Sequence, residues 1–81
     1  MTKQTITIEN TVFAVTDNAV HEYGTLLYYD PINDKGYQLD GDGKRVAITS
    51  YAAFGDDMYA ARQAAQHWMG KARKAWMTRT E

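Results

Sequence analysis

The sequence predicts an α+β fold, in which an antiparallel sheet of four or five strands packs against a C-terminal helix. Short alternating or β-branched segments fill the first fifty residues, turn-forming residues separate them, and an apolar stripe at helical spacing follows. The chain has 81 residues, of which 44% are hydrophobic and 12% aromatic. This length predicts one domain over residues 1–81, because a second core would bury too little apolar surface to offset its ordering.

The first half of the chain is predicted to form a meander of antiparallel strands. The segment Thr5-Ile6-Thr7-Ile8 alternates strictly, which is typical of a strand whose isoleucines face the core. Polar pairs, Pro31 and Asp-Gly pairs are turn signals that separate the segments after it. The predicted strands cover residues 3–9, 11–15, 20–29, 37–39 and 45–49.

The last part of the chain predicts one long helix that runs to about Thr78. Asp56 or Asp57 is expected to cap it, because an aspartate oxygen accepts hydrogen bonds from the free N–H groups of a first turn. Gly70 costs about 1 kcal/mol relative to alanine inside a helix unless close packing requires it, so it is predicted to be a contact point between backbones. The stripe that should lie across the sheet consists of Met58, Ala61, Ala65, Trp68, Ala72, Ala75 and Trp76.

Packing alone must stabilise this fold, because the sequence contains no cysteine for a disulfide or a thiolate zinc site. The lack of cysteine fits a reducing, cytoplasmic location, and the alternating N-terminal segment predicts neither a signal peptide nor a membrane span. The core is expected to consist of Ile6, Ile8, Phe13, Val15, Leu27, Leu39, Val46, Ile48, Phe54, Ala61, Ala65, Trp68 and Trp76.

Few residues offer catalytic or metal-binding chemistry. The only serine is Ser50 and the only histidines are His21 and His67, so a serine-hydrolase triad would require distant segments to converge. The two histidines lack the spacing of a helical zinc motif. The Asp40-Gly41-Asp42-Gly43 turn is too short for a calcium loop, which needs a glutamate six residues after its glycine. The sequence therefore predicts a non-enzymatic protein with no cofactor and no metal ion.

Charge is divided by position along the chain. Residues 1–57 carry four basic and nine acidic residues, a net charge of −5, whereas residues 58–81 carry five basic and one acidic residue, a net charge of +4. The whole chain therefore has a net charge of only −1. This division predicts one surface rich in aspartate and another rich in lysine and arginine.

The aspartates fall at predicted turns and at the start of the helix. Aspartate suits turns and N-caps, which explains most of these positions. A second interpretation is that the turns lie at neighbouring ends of the sheet and present carboxylates to a basic groove of a partner, with tyrosines at the rim as anchors. The residues predicted to bind the partner in this way are Asp30, Asp34, Asp40, Asp42, Asp56 and Asp57, with Tyr29 and Tyr37.

The basic end of the helix offers the alternative, in which cations contact nucleic-acid phosphates while an aromatic ring stacks on a base. Both tryptophans also fall on the apolar stripe, and the sequence pI of about 6.1 differs from that of the commonly basic nucleic-acid modules. The residues of this alternative are Lys71, Arg73, Lys74 and Arg79.

The stretch from Tyr28 to Trp68 resembles the strand-strand-helix pattern of HicB-type antitoxin domains. This likeness rests on Gly36-Tyr37, Ala47-Ile48-Thr49, Gly55-Asp56-Asp57 and the alanine-rich segment 60–65. The chain is also similar in kind to the small phage-borne inhibitors called anti-CRISPR proteins. This resemblance rests on its size, its aspartate-rich turns and its absence of catalytic motifs. That second resemblance implies a compact α+β domain whose acidic surface occupies a nucleic-acid groove.

These observations predict a small inhibitor that binds the basic nucleic-acid-binding surface of a larger host defence complex through its aspartates. The alternative is a nucleic-acid-binding or antitoxin-like regulatory module that uses the basic helix. No membrane partner is expected. The chain is expected to be a monomer or a homodimer, because the exposed edge of a small sheet can pair with a second copy.

Overall fold

The computed structural model describes residues 3–48 and 57–79, which form one antiparallel sheet and one helix. The α+β class predicted from the sequence is confirmed, but the sheet has six strands rather than four or five. The strands follow one another in sequence order across the sheet, as a simple meander. The elements are β1 (Gln4–Ile8), β2 (Thr11–Val15), β3 (Val20–Glu22), β4 (Leu27–Asp30), β5 (Lys35–Leu39), β6 (Arg45–Ala47) and α1 (Met58–Thr78).

The additional strand arises because the segment predicted as one strand over residues 20–29 is a hairpin. Gly24 has a φ of 79°, a backbone conformation that glycine adopts without steric cost. The Thr25 hydroxyl donates to the Glu22 carbonyl at 2.9 Å and accepts from the Leu27 N–H at 3.0 Å. These bonds reverse the chain between β3 and β4, so the glycine is the sequence signal for the break.

The pleat divides the sheet into two unlike faces, because adjacent side chains of a strand point to opposite sides. The inner face packs against α1 and carries the large buried side chains of the strands. The outer face carries their neighbours, such as Thr5, Ala14 and His21, which are aligned with one another across the first three strands. The inner-face residues buried in the core include Ile8, Phe13, Val15, Val20, Leu27, Tyr29 and Ile48.

Small side chains allow α1 to lie close to the inner face. Ala61, Ala65, Ala72 and Ala75 are each 1% exposed or less, and the larger buried residues Trp68 and Met69 lie between the two pairs of alanines. The helix begins as predicted, because the Asp57 carboxylate accepts a hydrogen bond from the Tyr59 N–H at 3.0 Å. Helix termini leave such N–H groups without a partner in the helix itself.

Most of the predicted core is confirmed, with two kinds of correction. Met58, predicted to lie on the buried stripe, is 71% exposed because it occupies the first turn beyond the sheet contact. Leu39 is only partly buried because it lies on the outer face, opposite Arg45, and Val46 is only partly buried because it lies on β6, the last strand of the sheet. Ile6 and Trp76 pack against the core while remaining partly buried. The predicted core residue Phe54 lies outside the described residues.

The glycine at the closest approach of helix and sheet is Gly36, not Gly70. A Cβ atom added at Gly70 would meet nothing within 4 Å, and this residue lies on the exposed side of α1. A Cβ atom added at Gly36, on the inner face of β5, would lie 2.7 Å from Ile48 Cδ1 and 3.2 Å from Met69 Cγ. The prediction that Gly70 is a contact point is therefore wrong.

Replacing Gly70 with alanine should stabilise the protein. The substitution removes the glycine penalty inside a helix without any clash, so the free energy of unfolding should rise by about 0.5–1 kcal/mol. Chemical denaturation followed by circular dichroism measures this change. A decrease would show that the exposed side of α1 at this position has a contact that the structure lacks.

Gly36→Val provides the opposite test of the same packing. Valine favours strands, so any loss of stability must come from the contact with Ile48 and Met69. Overpacking of a core typically costs about 1–3 kcal/mol. An unchanged midpoint of denaturation would contradict the close approach of α1 to β5.

Candidate binding surfaces

The acidic turns lie at opposite ends of the sheet. Consecutive hairpins of a meander alternate between its two ends, so the β4–β5 turn with Asp30 and Asp34 is separated from the β5–β6 turn with Asp40 and Asp42. The intervening strand β5 has five residues, which span about 17 Å at about 3.4 Å per residue. The predicted proximity of these turns is therefore wrong, and the aspartates do not form one rim. Asp56 lies outside the described residues.

Several of these carboxylates bind the backbone of their own turn. Asp30 accepts from the Ile32 N–H at 2.9 Å, and Asp40 accepts from the N–H groups of Asp42 and Lys44 at 2.8 and 2.9 Å. A hydrogen bond from the Asn33 side chain lowers the pKa of Asp30. These contacts are the ordinary turn chemistry of aspartate, as is the helix cap at Asp57. They hold the carboxylates in place within their own turns.

Asp34 joins the β4–β5 turn to the helix. Arg73 Nε donates to Asp34 Oδ1 at 2.8 Å, and the Tyr29 hydroxyl donates to the same oxygen. These two hydrogen bonds, the one from Arg73 first, lower the pKa of the Asp34 carboxyl. One residue of the predicted acidic surface is thus the ion-pair partner of one residue of the predicted basic surface.

The two tyrosines predicted to lie at the rim have different environments. Tyr29 faces α1 and is 3% exposed, and burial raises the pKa of its hydroxyl. The prediction of a surface-exposed Tyr29 is wrong, because the pleat directs this ring to the inner face. Tyr37 lies on the outer face, where its ring remains partly exposed.

The basic residues of the helix also contact the protein itself. Lys71 Nζ donates to Thr11 Oγ1 at 3.0 Å, and Arg73 pairs with Asp34. The Arg79 guanidinium lies 3.5 Å from the centroid of the Trp76 ring and donates to the Trp76 carbonyl at 2.6 Å. Lys74 is exposed. Three of the four predicted nucleic-acid contacts therefore have intramolecular partners.

The outer face carries a row of stacked side chains that the sequence analysis did not predict. His21, Tyr28 and Tyr37 lie opposite one another on β3, β4 and β5. The rings of His21 and Tyr28 are 4.3 Å apart at 12°, and those of Tyr28 and Tyr37 are 5.5 Å apart at 8°. The Arg45 guanidinium continues the row, 4.3 Å from the centroid of the Tyr37 ring. We call these four residues the stacked row.

A second group of apolar side chains borders the stacked row on the same face. Val12, Tyr23 and Leu26 are 38%, 41% and 51% exposed. Tyr23 continues the pairing of β2 with β3, because its N–H donates to the Val12 carbonyl at 3.0 Å. Lys3 Nζ lies 5.2 Å from the centroid of the Tyr23 ring. The stacked row and these three residues together are called the outer aromatic face.

The sequence contained a signal for this surface in its alternation. His21, Tyr23 and Tyr28 each adjoin a residue on the inner face, so alternation places all three on the outer face once Gly24 is recognised as the break between β3 and β4. The stacking itself could not be read from the sequence, because it depends on the register between separate strands.

Comparisons with known proteins place no constraint on these surfaces: no family model, curated protein or solved structure matches the chain. Within residues 3–48 and 57–79, no three side chains of the kind that bind metal ions come together. The described helix lacks the apolar length that crossing a bilayer would require.

The ion pair between Asp34 and Arg73 should stabilise the fold in a pH-dependent way. The pKa of Asp34 is lowered in the folded state, so its contribution is fully present above the pKa of the unfolded chain and is lost as pH falls through the lowered value. A double-mutant cycle of Asp34→Asn and Arg73→Gln, measured by denaturation, should give a favourable coupling at neutral pH that vanishes in strong acid.

Asparagine is the suitable replacement in this cycle, because residue 34 has a φ of 55° and asparagine tolerates positive φ. A coupling that stays constant between neutral and strongly acidic pH would show that the two side chains interact without charge.

Proposed function

We propose that this protein is a non-enzymatic binding domain whose docking surface is the outer aromatic face. The observation that carries the proposal is the composition of that face. An antiparallel sheet covered on one side usually presents polar side chains on the other. Here the centre of the side away from α1 carries aromatic residues with exposed aliphatic residues beside them, and exposed apolar patches of this kind mark interaction sites.

The stacked row also preorganises this face for binding. Parallel rings on three adjacent strands hold one another in fixed orientations, so little side-chain entropy remains to be lost when a partner docks. Tyrosine is frequent in the anchoring parts of interfaces, because it offers a large apolar ring and a polar hydroxyl. A rigid surface with tyrosine edges is therefore well suited to hold a protein partner.

Removing the exposed apolar side chains of this face should abolish partner binding. The double variant Val12→Thr and Leu26→Gln keeps a β-branched residue in β2 and changes only exposed positions. Immobilised wild-type protein should retain one or more proteins from a bacterial lysate, and this variant should lose them while its melting temperature stays close to that of the wild type.

The matched control changes apolar residues that are at least as exposed but lie elsewhere. Ile32, on the β4–β5 turn, and Met77, near the end of α1, are 73% and 80% exposed. The variant Ile32→Gln and Met77→Gln should retain the same proteins as the wild type. If both double variants retain them equally, the outer aromatic face is not the docking surface.

A second candidate function is the inhibitor role, with a smaller acidic surface than the sequence predicted. The β5–β6 turn supports it, because residues 41–45 are all exposed and Glu9 lies on a turn at the same end of the sheet. Asp40 and Asp42 in this turn would dock on a basic groove that normally holds nucleic acid, gaining specificity from complementary charge.

This candidate predicts that only the aspartates of the β5–β6 turn contribute to partner binding. Asp40→Asn together with Asp42→Asn should weaken binding to a basic partner by roughly two- to tenfold, since each exposed charge pair contributes little. Asparagine keeps an acceptor for the turn, so the fold should survive. The control Asp17→Asn changes an exposed aspartate of the β2–β3 turn, at the other end of the sheet, and should bind as the wild type does. Equal loss in both variants, measured by titration calorimetry with the captured protein, would contradict the role of the β5–β6 turn.

A further inference from the structure

We infer that the partner of the outer aromatic face is an acidic protein segment, an inference that rests on the proposed docking surface. Basic side chains lie together on this face because of the alternation along the strands, although residues 1–57 carry a net negative charge. Lys3, Lys35 and Arg45 all alternate with inner-face positions and therefore lie on the outer side. Among the described strand residues of this face, Asp30 is the one acid, and its Oδ2 lies 3.9 Å from a guanidinium nitrogen of Arg45.

A pocket at one side of the face shows where an acidic side chain would enter. It has a volume of about 370 Å³, and its lining includes Lys35, Tyr37, Arg45 and Asp30. Two cations and a tyrosine thus converge on one concave site. The Arg45 side chain is 64% exposed and its contact with Asp30 is long, so its guanidinium can exchange that contact for a carboxylate of the partner. Arginine binds carboxylates well because its donors match their geometry.

A second copy of the chain is a poorer occupant. In a symmetric pair the same patch meets itself, so two basic faces would come together. The area is also small: the strands lie about 4.8 Å apart and have three to five residues, so the longest span about 17 Å and the face covers at most about 400 Å². Stable interfaces bury about 800 Å² on each partner. The face fits an extended segment better than a folded subunit.

Single-stranded nucleic acid is likewise a poorer occupant. Bases bind such sheets by stacking on exposed aromatic ring faces. In the stacked row the ring faces of His21, Tyr28 and Tyr37 cover one another, and Arg45 covers the last ring. Only the edges of these rings remain accessible to a partner. Ring edges can contact the side chains and carboxylates of a peptide.

The test uses the full chain and a fluorescent random copolymer of glutamate and tyrosine, with binding followed by anisotropy at low salt. The copolymer should bind more tightly than polyglutamate, because the face offers apolar contacts as well as charge. It should also bind more tightly than an oligothymidylate of similar length, and added salt should weaken the binding.

Two charge variants locate the binding. Lys35→Gln with Arg45→Gln should lower the affinity for the copolymer roughly tenfold. Arg62→Gln with Lys74→Gln removes the same charge from exposed positions of α1 and should leave the affinity unchanged. Equal loss in both pairs would overturn the inference, because binding would then depend on overall charge alone.

The remaining outcomes separate this inference from the proposed function. Tighter binding of oligothymidylate than of the copolymer would overturn the acidic partner in favour of nucleic acid. If the copolymer fails to bind while capture from the lysate still depends on Val12 and Leu26, the partner class is wrong and the docking surface stands. If neither depends on this face, the proposed function fails as well.

Discussion

The close contact between the alanine side of α1 and the inner face of the sheet is the constraint on which the rest of the structure depends. Ala65, Ala72 and Ala75 bring the helix backbone near the strands, and Gly36 leaves space for Ile48 and Met69 between them. The strands must then keep the large residues of the core, such as Phe13, Val20 and Tyr29, on the side that faces α1. A shift of one residue in any register would exchange the two faces of that strand. The outer face is therefore fixed by the packing of the inner one.

Polar contacts between distant parts of the chain orient the helix over this core. Trp68 Nε1 donates to Glu22 Oε1 at 2.8 Å, Lys71 binds Thr11, and Arg73 binds Asp34. A buried indole N–H usually needs such a partner. These contacts engage charged side chains from both halves of the chain. Charges that seem free in the sequence are thus part of the fold, which is why net charge along the chain is a poor guide to the charge of any one surface.

The geometry of the meander redistributes the remaining charges. Aspartates collect at the turns, and the turns alternate between the two ends of the sheet, so the acidic residues separate. Lys35 and Arg45 come from neighbouring strands and lie on the same side, so the basic residues converge beside Tyr37. A half of the chain that is acidic in total therefore presents a basic, aromatic face. Such a local field can guide a charged partner whatever the total charge.

The sequence by itself determined the features that arise from neighbouring residues: the Asp57 cap and extent of the helix, the inward isoleucines of β1, and the aspartate turns. These depend on local hydrogen bonding and on the periods of helix and strand. The tertiary structure alone decided the stacked row, the pair of Asp34 with Arg73 and the burial of Tyr29. Each of these joins residues from different elements, and their distances are set by strand register and by how the helix lies on the sheet. Alternation along one strand shows which side a residue takes, but only the assembled sheet shows which residues it meets there.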